Sequence, residues 1–311
     1  MQVSDFRRQS LRQETQRRVP AGGVDAAVDN HAAPSAHYGS WQLPVEHFSP
    51  TSLNMLQACP RQFQQRYIQG RKEQPAQARA LGNAVHDTLA YNFRCKLHTE
   101  HDLDAKVMIE YYDDSSWPRI IERYGGVSEI RWDANPKDVR DLGRAMTVAY
   151  LPTAERIMPE YVEVEMEYNS PGVPVPIIGF IDLQQADGKP VIDWKTSKTA
   201  QKSLKPEWRM QGRVYSLMTN RPVDWHVITK GSLPSVYTSL ECPDLFQQHN
   251  PQVVAGTHRM ILDLANLANH YYAEYGPDED WPMLGIGHLW RCGKYCAYTA
   301  DCPAWRGAMI D

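Results

Sequence analysis

Two carboxylates and one lysine fall in neighbouring segments that are both predicted β-strands. Asp182 lies in the apolar run IIGFIDLQ, and Asp193 and Lys195 lie two residues apart in VIDWKT. Because alternate side chains share a strand face, we expect Asp193 and Lys195 to project together while Ile192 and Trp194 enter a core. Carboxylates on adjacent strands can share Mg²⁺ or Mn²⁺, and a neighbouring lysine can orient a water or stabilise phosphate charge. The pattern predicts metal-assisted phosphodiester hydrolysis, with an exposed Asp–Lys pair as the ordinary alternative.

Cysteines form a second set of candidate ligands. Three of the six crowd the C-terminal segment and a fourth stands in a CPRQF turn far upstream: Cys292, Cys296, Cys302 and Cys59. Soft thiolates in four-ligand sets select zinc or an iron–sulfur cluster. The three clustered cysteines need a fourth ligand, for which Cys59 is the candidate. Cysteines that simply pack in a small loop are the alternative.

The strands that would position the carboxylates belong to a predicted antiparallel meander. In YVEVEMEY the apolar residues alternate with glutamates, which predicts one buried and one solvent-facing side, with Glu165 at most reaching a metal. The expected inward side consists of Val162, Val164, Met166 and Tyr168. IIGFIDLQ and VIDWKT follow as the second and third strands, joined by an Asp-Gly turn. VDWHVITKG and SVYTSLE are predicted as a fourth and a fifth strand.

Several helices are predicted around these strands. Ser49 is a helix N-cap followed by Pro50, and Pro60 should bend or break the helix that starts there. A second helix carries Gly82 and His86 one turn apart. Residues 100–160 are predicted to be mainly helical, another helix follows VIDWKT, and a long one covers roughly residues 251–275.

The whole chain has the composition of a globular protein. Its 311 residues carry a net charge of −4, with 23% charged and 10% aromatic residues. No run approaches the roughly 20 apolar residues that span a bilayer. The N-terminus lacks the apolar run of a signal peptide, so a cytoplasmic location is expected, and residues 1–45 are predicted to be a disordered basic tail. The absence of a GxxxxGK[ST] loop implies that any helicase motor lies on another chain.

The order of the motifs resembles the RecB-like branch of the PD-(D/E)xK nuclease superfamily. Gly82-x-x-x-His86, Gly179-Phe-Ile-Asp182, Ile192-Asp193-Trp-Lys195 and Gln211-x-x-x-Tyr215 occur in the family's order, and SPTSLNMLQACPRQFQQRYI resembles its first helix. The resemblance runs from about Ser49 to Trp305. It is greatest for the stand-alone iron–sulfur exonucleases of CRISPR systems and phages.

The resemblance implies a fold and a set of site residues. The fold is α/β, a restriction-endonuclease-like core with a mixed central sheet flanked by helices and an Fe–S staple that joins the N- and C-terminal parts. One nuclease domain would span residues 46–311, with a helical insertion at about 100–160 and a cluster segment at about 281–305. The implied ligands of the divalent cation are His86, Asp182, Asp193 and the backbone carbonyl of Trp194. Lys195 is the implied catalytic lysine, and Gln211 and Tyr215 would contact the DNA backbone or position Lys195.

The same resemblance implies a cofactor and a function. Cys59, Cys292, Cys296 and Cys302 would hold a 4Fe–4S cluster, with Zn²⁺ as the alternative. The protein would be a metal-dependent DNA exonuclease for single strands or DNA ends, in recombination, repair or phage or CRISPR DNA processing. Its partners would be DNA and a helicase or a recombination or CRISPR protein on another chain.

Three further readings of the sequence concern the same site. One alternative function is a non-catalytic nucleic-acid-binding or assembly module that retains the cluster, and another is a structure-specific endonuclease. Three aromatic residues are candidates for stacking on bases in a single-strand channel: Trp194, Trp208 and Tyr215.

Overall fold

The computed structural model of the protein describes residues 19–20, 40–201, 203–283, 292 and 296–308. Most of the predicted tail of residues 1–45 therefore lies outside the described residues. Within the described part, Val19–Pro20 form a short strand, and no helix is both long enough and apolar enough to cross a membrane.

Seven strands form one mixed sheet in the described residues. They run in the order β1-β2-β3-β4-β5-β6, and β7 also pairs with β5. The antiparallel β2–β3–β4 meander is confirmed, whereas β4 and β5 are parallel and joined by a helix. The predicted fifth strand is limited to two residues. The strands are β1 Val19–Pro20, β2 Pro159–Tyr168, β3 Ile177–Gln185, β4 Val191–Ser197, β5 Val223–Thr229, β6 Val236–Tyr237 and β7 Phe246–Gln247.

Helices cover both faces of the sheet, as predicted. The first begins with a capping box in which the backbone N–H of Ser52 donates to Ser49 Oγ (3.1 Å) and that of Ser49 donates to Ser52 Oγ (2.8 Å). It ends at Ala58, two residues before Pro60, which starts the next helix, so the predicted break is confirmed. The helices are α1 Pro50–Ala58, α2 Pro60–Phe63, α3 Gln77–Thr99, α4 Ala105–Tyr111, α5 Trp117–Arg123, α6 Pro136–Ala154, α7 Pro206–Thr219, α8 Pro251–Tyr275 and α9 Pro303–Ala308.

Each face of the sheet has its own hydrophobic core. The first core joins the sheet to α1, α7 and α8 and includes Leu53, Val164, Ile181, Val214, Trp225 and Ile261. The second core joins the other face to α3–α6 and includes Val85, Phe93, Met146, Tyr150, Leu183, Ile192 and Trp194. Burying apolar area on both faces stabilises the sheet by roughly 25 cal/mol per Å² and fixes the helices that carry site residues.

Strand β2 changes faces at Glu163. Val164 and Met166 lie in the first core, but Val162 packs against the second, so the predicted single inward side is wrong at Val162. The cause is local, since Glu163 has a φ of 49°, in the left-handed region that breaks strand alternation.

Candidate active site

The site forms where strands β3 and β4 separate. The two strands pair at Leu183–Ile192 and Gln184–Val191, and beyond that point Asp182 and Asp193 stand on either side of the opening. The backbone N–H of Trp194 donates to Asp182 Oδ2 at 2.8 Å. A carboxylate oxygen thus replaces the carbonyl that would accept this bond in a continuous ladder.

Helix α3 places His86 against Asp182. His86 Nδ1 lies 3.5 Å from Asp182 Oδ2, and the His86 ring meets Trp194 edge-on, with ring centroids 5.8 Å apart. Burial alone would lower the pKa of His86 and raise that of Asp182. The attraction between the two groups, their hydrogen bond and neighbouring groups together outweigh burial, so the pKa of His86 is raised and the pKa of Asp182 is lowered.

Asp193 is 2% exposed and carries the most deeply buried carboxylate of the site. Its Oδ2 accepts from Gln211 Nε2 at 3.2 Å, and Lys195 Nζ lies 2.5 Å from Oδ1. Oδ1 is therefore paired with the Lys195 ammonium. Burial and the nearby Asp182 carboxylate raise the pKa of Asp193 to about 6, although Lys195 opposes the rise.

Helix α7 supports Asp193 through two side chains one turn apart. Gln211 Nε2 donates to Asp193 and also to the Tyr215 hydroxyl oxygen at 2.8 Å. Tyr215 is 5% exposed, and burial raises its pKa. Gln211 therefore reaches Asp193 directly and Tyr215 reaches it through Gln211, while the expected contact of these two residues with DNA stays a prediction. Gly179 makes this packing possible, since a Cβ there would lie 2.9 Å from Met218 Sδ.

A buried hydrogen-bond chain holds Trp194 from behind, and the sequence analysis missed it. Trp194 Nε1 donates to the Tyr150 hydroxyl at 2.9 Å, and the same hydroxyl shares a hydrogen bond of 2.6 Å with His226 Nδ1. Tyr150 comes from α6 and His226 from β5. No local pattern links these two residues to the site, because only the packing of α6 on the second core brings them to Trp194.

Glu163, not Glu165, is the β2 glutamate next to the site. The register places Glu163 opposite Asp182, and its carboxylate pairs with Arg94 of α3. Burial raises the pKa of Glu163, and the charges of Asp87 and Asp182 raise it further against the opposing effect of Arg94.

The three aromatic residues proposed for base stacking are all buried. Trp194, Trp208 and Tyr215 are 0%, 7% and 5% exposed, respectively. None of their rings is open to a base, so the stacking prediction was wrong for Trp208 and Tyr215, and the favoured prediction that Trp194 enters a core is confirmed. The aromatic positions were identified from sequence proximity to the motif, which does not report burial.

The four proposed cluster ligands line one cavity. Cys59 follows α1, and Cys292, Cys296 and Cys302 approach it from the C-terminal segment. Burial raises the pKa of Cys296 to about 11, and the three other thiols contribute. The cavity is also lined by Met283.

Neither set of side chains forms a finished metal site. Among the described residues, no three histidine, cysteine, aspartate or glutamate side chains are already placed so as to hold a metal ion. The donor chemistry of the two places nevertheless differs. Carboxylate oxygens at the strand opening fit a hard divalent cation, and the four thiols fit zinc or iron.

Comparison with known proteins identifies the family. The model of the PD-(D/E)XK nuclease superfamily matches residues 47–303. The chain belongs to this superfamily, and its mixed sheet flanked by helices is consistent with a restriction-endonuclease-like core.

No curated protein matches the chain. Among solved structures, a protein named SSO0001 is 19% identical with a TM-score of 0.34, and the match covers 70% of this chain and 96% of that one. A protein of Eubacterium rectale named "Putative exonuclease" is 11% identical with a TM-score of 0.41, over 92% of this chain and 94% of the other.

Proposed function

We propose that the protein is a Mg²⁺- or Mn²⁺-dependent deoxyribonuclease that removes nucleotides from single-stranded DNA or DNA ends. One observation carries the proposal. Asp182, Asp193 and Lys195 meet where β3 and β4 separate, with Lys195 Nζ 2.5 Å from Oδ1 of the buried Asp193. A cation and a phosphate are the groups that this combination of acids and lysine suits.

Each residue has a distinct part in the proposed reaction. His86, Asp182, Asp193 and the Trp194 carbonyl would hold the divalent cation, which supplies Lewis-acid chemistry when bound. Lys195 orients the attacking water and stabilises the negative charge that develops on the phosphate. Gln211 fixes the Asp193 carboxylate, and Tyr215 fixes Gln211.

Positive charge next to the site supports a nucleic-acid substrate. Lys198 follows β4, Lys230 follows β5, and Lys205 precedes α7, with its ammonium 4.7 Å from the centre of the Trp208 ring. Burial lowers the pKa of Lys230 to about 8, and repulsion from Lys198 and Lys205 contributes. A backbone phosphate passing Lys195 would neutralise part of this repulsion.

The motif order supports two finer parts of the proposal. One is exonuclease action, and the other is a role in recombination, repair or phage or CRISPR DNA processing beside a helicase on another chain. Gln211-x-x-x-Tyr215 and the four cysteines are the features that resemble the exonuclease branch.

The activity can be tested on single-stranded DNA labelled at either end. With Mg²⁺ or Mn²⁺, the wild type should release mononucleotides or short products progressively from an end. Asp193→Ala and Lys195→Ala should each lower the rate by 100-fold or more, about the loss that follows removal of a charge-stabilising group. Lys189→Ala, at the exposed turn of the same hairpin, should retain full activity. Equal rates in the wild type and both site variants would overturn the assignment.

We also propose that the four cysteines hold a 4Fe–4S cluster. Their convergence on one cavity supports a common ligand. The chain has three residues between Cys292 and Cys296, whereas the commoner spacing in the family that it resembles has two. Purified without oxygen, the protein should be brown and contain about four iron and four labile sulfide atoms per chain.

Two variants test the cluster assignment. Cys296→Ala should lose the colour and the iron, whereas Cys95→Ala should keep both, because Cys95 is buried in α3 away from the cavity. A colourless protein with one zinc ion would contradict the cluster. Absence of iron and zinc would contradict any metal at this site.

A further inference from the structure

Phe180 is an exposed aromatic side chain on a central strand of the active-site sheet. It is 59% exposed, although β3 lies between β2 and β4. An apolar ring on an interior strand is ordinarily covered by a helix or by neighbouring side chains. The exposure of Phe180 therefore requires a local explanation.

The opening between β3 and β4 provides that explanation. The N-terminal end of β3 is held by Phe48, whose carbonyl accepts from the Ile178 N–H at 2.8 Å. Pairing with β4 is found at Leu183 and Gln184. Between these contacts, Phe180 lies beside the gap that contains Asp182 and Asp193.

The ring faces the side of the sheet on which α3 carries His86, whereas Asp193 and Lys195 project toward α7 and Trp225. Gly179 packs against α7 and Ile181 lies in the first core. Strand alternation turns Phe180 to the opposite face, on which α3 brings His86 to within 3.5 Å of Asp182. Two residues along a strand span roughly 7 Å, so the ring is within reach of a nucleotide adjacent to a phosphate held at Asp182.

The surroundings of Phe180 suit a single flat ligand better than a protein surface. Its cross-strand neighbour on β2 is Glu165, so the apolar surface beside the opening is interrupted by a carboxylate. Protein interfaces require a contiguous apolar area of several hundred Å², whereas a nucleobase needs only the face of one ring.

We propose that Phe180 is a stacking platform for a nucleobase of the strand that is cut, next to the scissile phosphate. The inference rests on the proposed nuclease function and adds the subsite that the three buried aromatic residues do not provide. Because every base offers a π-face, such a platform binds single strands with little sequence preference.

Substitutions at Phe180 separate ring stacking from general apolar contact. Loss of one stacking contact is worth about 1–3 kcal/mol, so KM for a single-stranded oligonucleotide should rise about 5- to 150-fold in Phe180→Ala, with a much smaller change in kcat. Phe180→Leu should show a similar loss, and Phe180→Tyr should retain wild-type KM. Leu240→Ala, which removes an apolar side chain that is 73% exposed beyond β6, should not change KM. Wild-type KM in Phe180→Ala or Phe180→Leu would overturn the proposal.

A substrate lacking bases allows a thermodynamic cycle in which the Phe180 ring and the base are removed separately and together. In an oligonucleotide whose first three nucleotides are abasic, the wild type should lose the affinity that Phe180→Ala loses on normal DNA. Phe180→Ala should lose little further affinity on the abasic substrate, because the substitution has already removed the stacking contact that the missing bases would make. If the affinity losses from the substitution and from the missing bases multiply as independent effects, the stacking proposal is overturned.

The design also distinguishes failure of the nuclease function. A wild type that cleaves no DNA contradicts the proposed function. Stacking is then read from the fluorescence of 2-aminopurine placed in the first three nucleotides, which stacking quenches. Quenching that is equal in the wild type and Phe180→Ala would overturn the platform as well.

Discussion

At the scale of single residues, Asp193 shows how the site trades stability for chemistry. Its carboxylate is buried close to Asp182, and the ion pair with Lys195 offsets only part of the cost of burial and repulsion. Ionising such a group in the folded protein costs free energy, which a bound cation would offset. Active-site groups commonly carry this kind of penalty.

Asp193→Asn should therefore stabilise the metal-free protein at neutral pH. Below about pH 4 the carboxyl is protonated in both folded and unfolded chains, so it adds no penalty. Above a pH of about 6, the folded-state pKa, it is ionised in both, and the folded state carries the full penalty. We expect the variant to gain on the order of 1–3 kcal/mol of unfolding free energy at pH 7.5, falling toward zero near pH 4.

Urea unfolding in EDTA at several pH values measures this gain. Asp244→Asn, at an exposed aspartate, is the control and should show no comparable change with pH. A destabilised Asp193→Asn at pH 7.5 would contradict the argument.

At the scale of elements, the site depends on strands that depart from regular pairing. β3 and β4 separate at Asp182, and on the other side of β3 the chain of β2 turns over at Glu163. Both departures occur at the same level of the sheet, since Glu163 lies opposite Asp182. Backbone strain of this kind collects at functional sites and is maintained by surrounding packing.

The strain at Glu163 can be measured with a pair of substitutions. In an ordinary strand, alanine is more stable than glycine by about 0.5–1 kcal/mol. At the left-handed φ of Glu163 the order should reverse, with Glu163→Gly more stable than Glu163→Ala by about 1 kcal/mol. Both variants lose the pairing with Arg94 equally, so their difference isolates the backbone.

Glu165, two residues along the same strand, is the matched control for this pair. Its φ is not positive, so Glu165→Ala should be more stable than Glu165→Gly. Thermal unfolding of the four variants decides the question. The same sign at both positions would show that Glu163 is not strained.

At the scale of the whole molecule, one buried glutamine joins the N-terminal helices to the C-terminal segment. Gln64 Nε2 donates to the carbonyls of Pro277 (2.9 Å) and Glu279 (2.6 Å). Its Oε1 accepts from the Trp281 N–H at 3.0 Å and from Arg61 Nη1 at 2.6 Å. This junction lies beside the cysteine cavity, which Arg61 also lines, and holds the two parts of the chain together independently of any metal.

Gln64→Leu should weaken that junction strongly. The substitution leaves several buried backbone and side-chain groups without partners, and we expect a loss of about 2–4 kcal/mol of unfolding free energy. Gln69→Leu is the matched control, since Gln69 donates to the same Pro277 carbonyl but at an exposed position, and it should cost about 0.5 kcal/mol or less. Urea unfolding of both variants without metal makes the comparison. Equal losses would contradict a central role for Gln64.

The sequence by itself determined the local elements and the identity of the motif residues. The cap at Ser49, the break at Pro60, the β2–β4 meander and the long helix at 251–275 follow from signals within a few residues, and the structure confirms them. The motif order also indicated the superfamily to which the chain belongs.

The tertiary structure decided which of those residues are open, buried or strained. In the folded chain β3 separates from β4, and Glu163 rather than Glu165 lies opposite Asp182. Tyr215 and Trp208 are buried, and Phe180 is exposed. These outcomes depend on how α3 and α7 pack on opposite faces of the sheet, across more than 100 residues of chain. Hydrophobic periodicity describes one element at a time, so it can predict which side chains share a face but not whether a helix will cover that face.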